Sequence, residues 1–285
     1  MLVLRRNLAA ILQQLDALNP TKASAGGKIE ELEKALNESQ EPILEFSKIV
    51  EVVAVMNDAE AALECYRWFG NILERYHLPE GCSGTYSEAD FDFFRFVGHE
   101  LMVTLFACLL RENRYALIAE LLQEPVPVRY HRRTGGPGNR EWSDASSHTG
   151  MLGGASQQRQ RISVHADLLH ERHSSGSLAA IVPEENFIAA DFFLFLRGEL
   201  APEERGPHFA WRPWSSLYMK GVPRFLLDAE RKARAAELAQ TLSVPSVDEL
   251  KKRLLERGHE LGRLFNIGWW DYPISESDVQ RIGSR

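Results

Sequence analysis

Between Leu101 and Leu110 the chain reads LMVTLFACLL, in which Thr104 is the only polar side chain. A helix that is apolar on every side has no face to offer water, so its neighbours must cover it. The longer stretch from Asp90 to Leu122 is therefore expected to be the central helix of the fold. What remains is to find the helices that cover it.

They are legible as apolar residues spaced three and four apart. Leu4, Leu8, Ile11, Leu12, Leu15 and Leu18 keep that spacing until Asn19 and Pro20 end it, which predicts an amphipathic first helix. After the small residues of TKASAGG, Ile29, Leu32 and Leu36 line one face of a charged helix. Pro42 sits where a helix start tolerates it, and Ile43, Phe46, Ile49, Val50, Val53 and Met56 form an apolar face. The β-branched residues there permit a strand, but Glu45, Lys48 and Glu51 fall three apart, which favours helix. Asp58 is placed to cap the next helix, and Ser87 with Asp90 has the spacing of a capping box. Further helical patterns cover 163–173, 183–200, 224–242 and 247–264. With nine or ten expected helices, no alternating strand and no repeat, the predicted class is all-α. The expected architecture is an irregular multi-helix bundle around the buried central helix, with a long Gly/Arg-rich loop.

That loop divides the chain. Residues 124–160 are rich in Gly, Ser and Arg without a period, and are expected to be a flexible basic loop between an N-terminal helical lobe, 1–123, and a C-terminal one, 161–285, of one continuous domain. From Arg129 to Arg161 six arginines face only Glu141 and Asp144, a net +4 in a chain of −7, leaving −11 for the rest. Arg129, Arg132, Arg133 and Arg140, with Tyr130 and Trp142, join positive charge to stacking surfaces and form the candidate nucleic-acid or phosphate site. The acidic remainder argues for a solvated loop, or one that meets an acidic patch on a partner.

Composition narrows the compartment. A chain of 285 residues with 44% hydrophobic content builds a core without staples. The three cysteines, Cys65, Cys82 and Cys108, are odd in number and lack the paired spacings of zinc or thiol-exchange sites. Cys65 and Cys108 sit in apolar helical surroundings, which suits a reducing compartment, so a cytoplasmic location is expected. Asn7, Gln13, Gln14 and Asp16 interrupt the apolar start that a signal sequence needs. The run Leu101–Leu110 is too short to span a bilayer, so no membrane partner is expected. The abrupt helical beginning suggests a piece of a longer protein.

Candidate chemistry is sparse. HELMV at His99 and HELGR at His259 begin like the zinc-protease helix motif, but Val103 and Arg263 stand where its second histidine belongs. Glu100 has apolar helical neighbours in Phe96, Val97 and Val103, and Asp191 lies among Phe187, Ile188, Leu194 and Phe195. Carboxylates in such places need a partner or a proton, which makes His99, Glu100 and Asp191 the candidate catalytic set. A structural hydrogen-bonded network joining two core helices through Arg95 or His99 also explains them and is preferred over a catalytic pair. In HADLLHERH, residues Asp167, His170, Glu171 and His173 have spacings that suit a divalent metal, although an exposed charged helix end has the same pattern and no metal or other cofactor is expected. Asp228, Glu230 and Lys232 resemble a nuclease carboxylate-lysine group but lie on an expected helix. No phosphate loop, dinucleotide fingerprint or serine elbow occurs.

Trp269, Trp270 and Tyr272 of the GWWDYP stretch are the candidate partner-binding residues. The expected function is accordingly a helical protein-interaction or regulatory module, a component or fragment of a larger bacterial assembly, binding a protein partner or a second copy of itself. The alternatives are a metal-assisted or acid-base hydrolase using the buried Glu, His and Asp, and a nucleic-acid module using the arginine loop.

Overall fold

The computed structural model describes residues 1–20, 29–78, 87–131, 136–200, 211–264 and 274–285. The chain is helical. The first four helices are α1 (Leu2–Leu18), α2 (Ile29–Glu38), α3 (Gln40–Met56) and α4 (Ala59–Leu73), and the central helix is α5 (Asp92–Arg111). There follow α6 (Tyr115–Leu121), an antiparallel hairpin of β1 (Val126–His131) and β2 (Gly136–Arg140), α7 (Gly150–Gln158), α8 (Val164–Ser174), α9 (Gly176–Ile181) and α10 (Glu184–Glu199). The last four are α11 (Arg224–Asp228), α12 (Lys232–Thr241), α13 (Val247–Leu264) and α14 (Glu276–Arg281).

Every residue of α5 from Asp92 to Leu109 is buried, as its lack of a wet face demands. Its broadest contacts are with α10 and α3, and α4, α6 and α2 also pack on it. Gly98 lets α4 and the 3-10 turn after it come close, because a Cβ there would stand 2.9 Å from the Ile72 side chain and 2.2 Å from the Tyr76 hydroxyl. The lead-in is the expected box: Ser87 accepts from Ala89 N–H, and Asp90 accepts from Ser87 N–H, before a 3-10 turn over Glu88–Phe91. Asp58 caps α4 by accepting from Ala61 N–H. One hydrophobic core runs through the described residues from Leu8 to Ile282.

Five expectations need correction. The central helix does not continue to Leu122; it stops at Arg111, and Asn113 at φ 56° turns the chain into α6. Asparagine accepts that left-handed backbone more readily than most residues, so the break had a signal. Residues 124–160 are not one long loop: the described part holds the hairpin, a 3-10 turn at Trp142–Ala145 and α7. Val126 and Val128 are buried while Pro127 and Arg129 are exposed, a two-residue alternation that the proline obscures. The described helices number fourteen rather than nine or ten, because the expected central helix and the expected 224–242 helix each break in two, and α7, α9 and α14 are too short for a sustained periodic pattern. Met56 does not join the apolar face of α3 but is 71% exposed, next to the turn that ends the helix. Finally, the helical stretch Glu88–Arg111, at 24 residues and mean hydropathy 1.6, is long and apolar enough to cross a membrane; the uninterrupted run Leu101–Leu110 understated it. Of that apolar window 94% is buried inside the fold, so packing already accounts for its composition.

Candidate functional site

Three acids that are 0% exposed organise the polar interior: Glu100 and Asp92 on α5, and Asp191 on α10. A bare carboxylate at that depth would cost several kcal/mol or take up a proton, so their partners decide their chemistry.

Glu100 is met by α8. Arg172 Nε donates to Glu100 Oε1 at 2.8 Å, and His173 Nε2 lies 3.1 Å from the same oxygen. Arg172 also donates from Nη1 to the Leu36 carbonyl at 2.6 Å and from Nη2 toward Ser39 Oγ at 3.4 Å, so one guanidinium joins α8 to α5 and to the α2–α3 junction. The His173 ring stacks on Phe187 of α10, 3.9 Å between centroids. Burial pushes the Glu100 carboxyl up, but Arg172 and His173 outweigh it and leave it at about 2. With a folded value below the ordinary 4.5, the stability Glu100 contributes is present above pH 4.5 and is lost as pH falls through 2. Urea titrations across that window should lose roughly 3 kcal/mol more in the wild type than in Glu100→Gln. Equal losses in the two proteins would show that the pair carries no such linkage.

Asp191 is met by the segment Trp211–Tyr218. Trp211 Nε1 donates to Oδ1 at 2.7 Å, and Ser215 donates to Oδ2 from its N–H at 2.8 Å and its hydroxyl at 2.7 Å. His99 Nε2 stands 3.4 Å from Oδ1, close enough for an ionic contact but without the alignment of a hydrogen bond. The His99 ring stacks on Trp211 at 5.0 Å. Asp92 joins α5 to the start of α7 by accepting from Met151 N–H at 2.6 Å, and Arg95 lies 3.7 Å away. Its carboxyl is raised to about 6 by burial, which the α7 backbone donors and Arg95 offset only in part.

Serine, histidine and aspartate thus lie together, but not in a nucleophilic order. Ser215 gives its hydroxyl hydrogen to Asp191 rather than to His99, so the imidazole is not placed as its base, and Ser215, His99 and Asp191 are all at most 3% exposed. The candidate set His99, Glu100 and Asp191 is therefore split between two networks on α5, each consumed in holding neighbouring elements. The thiols of Cys65 and Cys108 are buried and pushed up to about 12, which leaves them protonated and unreactive.

The proposed metal ligands are dispersed. His173 goes inward to Glu100, His170 pairs with Glu184 and stacks on Tyr218, and Asp167 holds Arg161 at 2.7 Å and the Tyr218 hydroxyl. Glu171 is exposed. Among the described residues no group of three His, Cys, Asp or Glu side chains is arranged to hold a metal ion. Of the loop arginines, Arg129 lies exposed on β1 and Arg140 is 2.8 Å from Asp144, while Arg132 and Arg133 lie outside the described residues. Trp269, Trp270 and Tyr272 also lie outside them.

Sequence reasoning does not single out Arg172, Ser215 or His165, whereas Trp211 is expected as a core or helix-joining anchor and is 1% exposed. Arg172 carried only its charge as a signal, since a buried acid needs a cation but the helix end that holds Arg172 reads as exposed. Ser215 carried none, because its segment has no period. No family model, curated protein or solved structure matches this chain.

Proposed function

We propose that the chain is a helical interaction or regulatory module whose docking surface is the end of the bundle formed by α1 and α3. The observation that carries this reading is a cluster of exposed apolar side chains: Leu2 and Val3 at 69%, Val52 at 60%, Val55 at 51% and Met56 at 71%. They share one end of the fold. Arg5 pairs with Glu64 and Asp16 with Arg75, so α1 runs parallel to α4. The α3–α4 connection is a tight turn at Asn57, which sets α3 antiparallel to both and brings its last residues level with Leu2 and Val3. Exposed apolar side chains gathered at one end of neighbouring helices are more typical of an interface than of a free surface.

The buried acids favour the same reading, because they pair off inside the core instead of converging on a pocket. Sedimentation velocity over a concentration series tests it. The wild-type chain should form larger species reversibly or retain a protein partner on purification, and V52D/M56D should do neither. Both positions are exposed, so the double variant should unfold within about 0.5 kcal/mol of the wild type. A wild-type chain that stays monomeric and partnerless, behaving like the variant, would overturn the proposal.

A further inference from the structure

A second histidine, His165 on α8, is 2% exposed and lies under the Trp211–Tyr218 segment. Its ring stacks on half-buried Trp214 at 4.7 Å and 12°, contacts Phe96 at 4.7 Å, and meets His99 edge-on at 5.6 Å. Thr149 Oγ1 is 3.0 Å from Nδ1, while Nε2 has no hydrogen-bond partner among the described residues. The segment above it is anchored to Asp191 through Trp211 and Ser215, and at its ends through Arg212 to Ser146 and Tyr218 to Asp167.

We infer that Trp211–Tyr218 is an acid-released clasp, shut over α5 and α8 while His165 is neutral and opened when that imidazole takes up a proton. Among the described residues, the groups that face the ring leave a proton there uncompensated. His99 comes from α5, His148 precedes α7, and Arg212 of the clasp lies 3.2 Å from His148, so these neighbours are bases or cations. Asp191, the carboxylate beside His99, already accepts three hydrogen bonds. The Trp214 and Phe96 faces would attract an imidazolium, but that attraction is smaller than the cost of burying a cation without a counterion. Burial, with His99 and His148, holds the His165 imidazole well below its ordinary 6.5. A depressed histidine contributes stability that is present above 6.5 and lost as pH falls below it, here to the open state in which Trp214 no longer covers the ring.

Deuterium uptake by peptides covering 211–218, corrected for the intrinsic pH dependence of exchange, tests the clasp. In the wild type the open population should rise about tenfold per pH unit below 6.5. Peptides from Leu101–Leu109 should stay protected, and His165→Asn, which keeps a polar atom for Thr149, should abolish the slope. An equal slope in that variant, or loss of protection in α5 in step with the clasp, would overturn the inference. If His165→Asn does not fold, the wild-type ring resonances of His165 decide. Protonation in step with release supports the clasp, whereas protonation near 6.5 with 211–218 still protected refutes it.

Discussion

Arg172→Met should destabilise the protein by about 3–5 kcal/mol, the cost of leaving a buried carboxylate without its cation. Glu100 is 0% exposed, and Arg172 provides both its shorter hydrogen bond and the larger opposing charge. The same substitution removes the bonds that Arg172 gives the Leu36 carbonyl and the Ser39 hydroxyl at the α2–α3 junction, so the loss reaches three elements. The double variant Glu100→Leu/Arg172→Met should recover most of the loss, because an apolar pair of similar bulk avoids the desolvation of both ions. Chemical denaturation with a double-mutant cycle measures both. If the single variant loses less than about 1 kcal/mol, the pair is not what holds α8 to α5.

Gly70→Ala is the second large effect, and its sign is opposite to the usual one. In an exposed helix interior the exchange stabilises by about 1 kcal/mol, because alanine loses less backbone entropy. Gly70 sits where α4 meets β1, and a Cβ there would stand 1.9 Å from the Pro127 carbonyl oxygen and 3.1 Å from its carbon. Those are backbone atoms of a paired strand, Pro127 standing opposite Asn139, so no side chain can rotate away. The hairpin must lift from α4, exposing Val126 and Val128 and weakening the bond from the Tyr66 hydroxyl to the Glu124 carbonyl. A loss of about 3 kcal/mol or more is expected, visible as a lowered unfolding midpoint and faster deuterium uptake in β1 and β2. Unchanged or raised stability would mean that the hairpin is not docked on α4 as described.

The division between what was legible in the chain and what was not follows from the range of each interaction. The helical class, the buried central helix and the caps at Asp58 and Ser87 depend on spacings of a few residues, and such spacings are present in the sequence itself. So is the requirement that Glu100 and Asp191 find partners, since an acid among apolar helical neighbours is costly wherever the helix packs. Which partners they find is a different matter. Arg172 and Glu100 are 72 positions apart, and Ser215 and Asp191 are 24 apart on a segment with no pattern, so only the packing of α8 and of 211–218 onto α5 and α10 pairs them. The same packing turned His173 inward, left His170 and Asp167 outside, and so separated a histidine and carboxylate set that helical spacing alone had placed together. Local periodicity determined that this chain must bury charge; tertiary contact alone decided that the charge is spent on holding helices together.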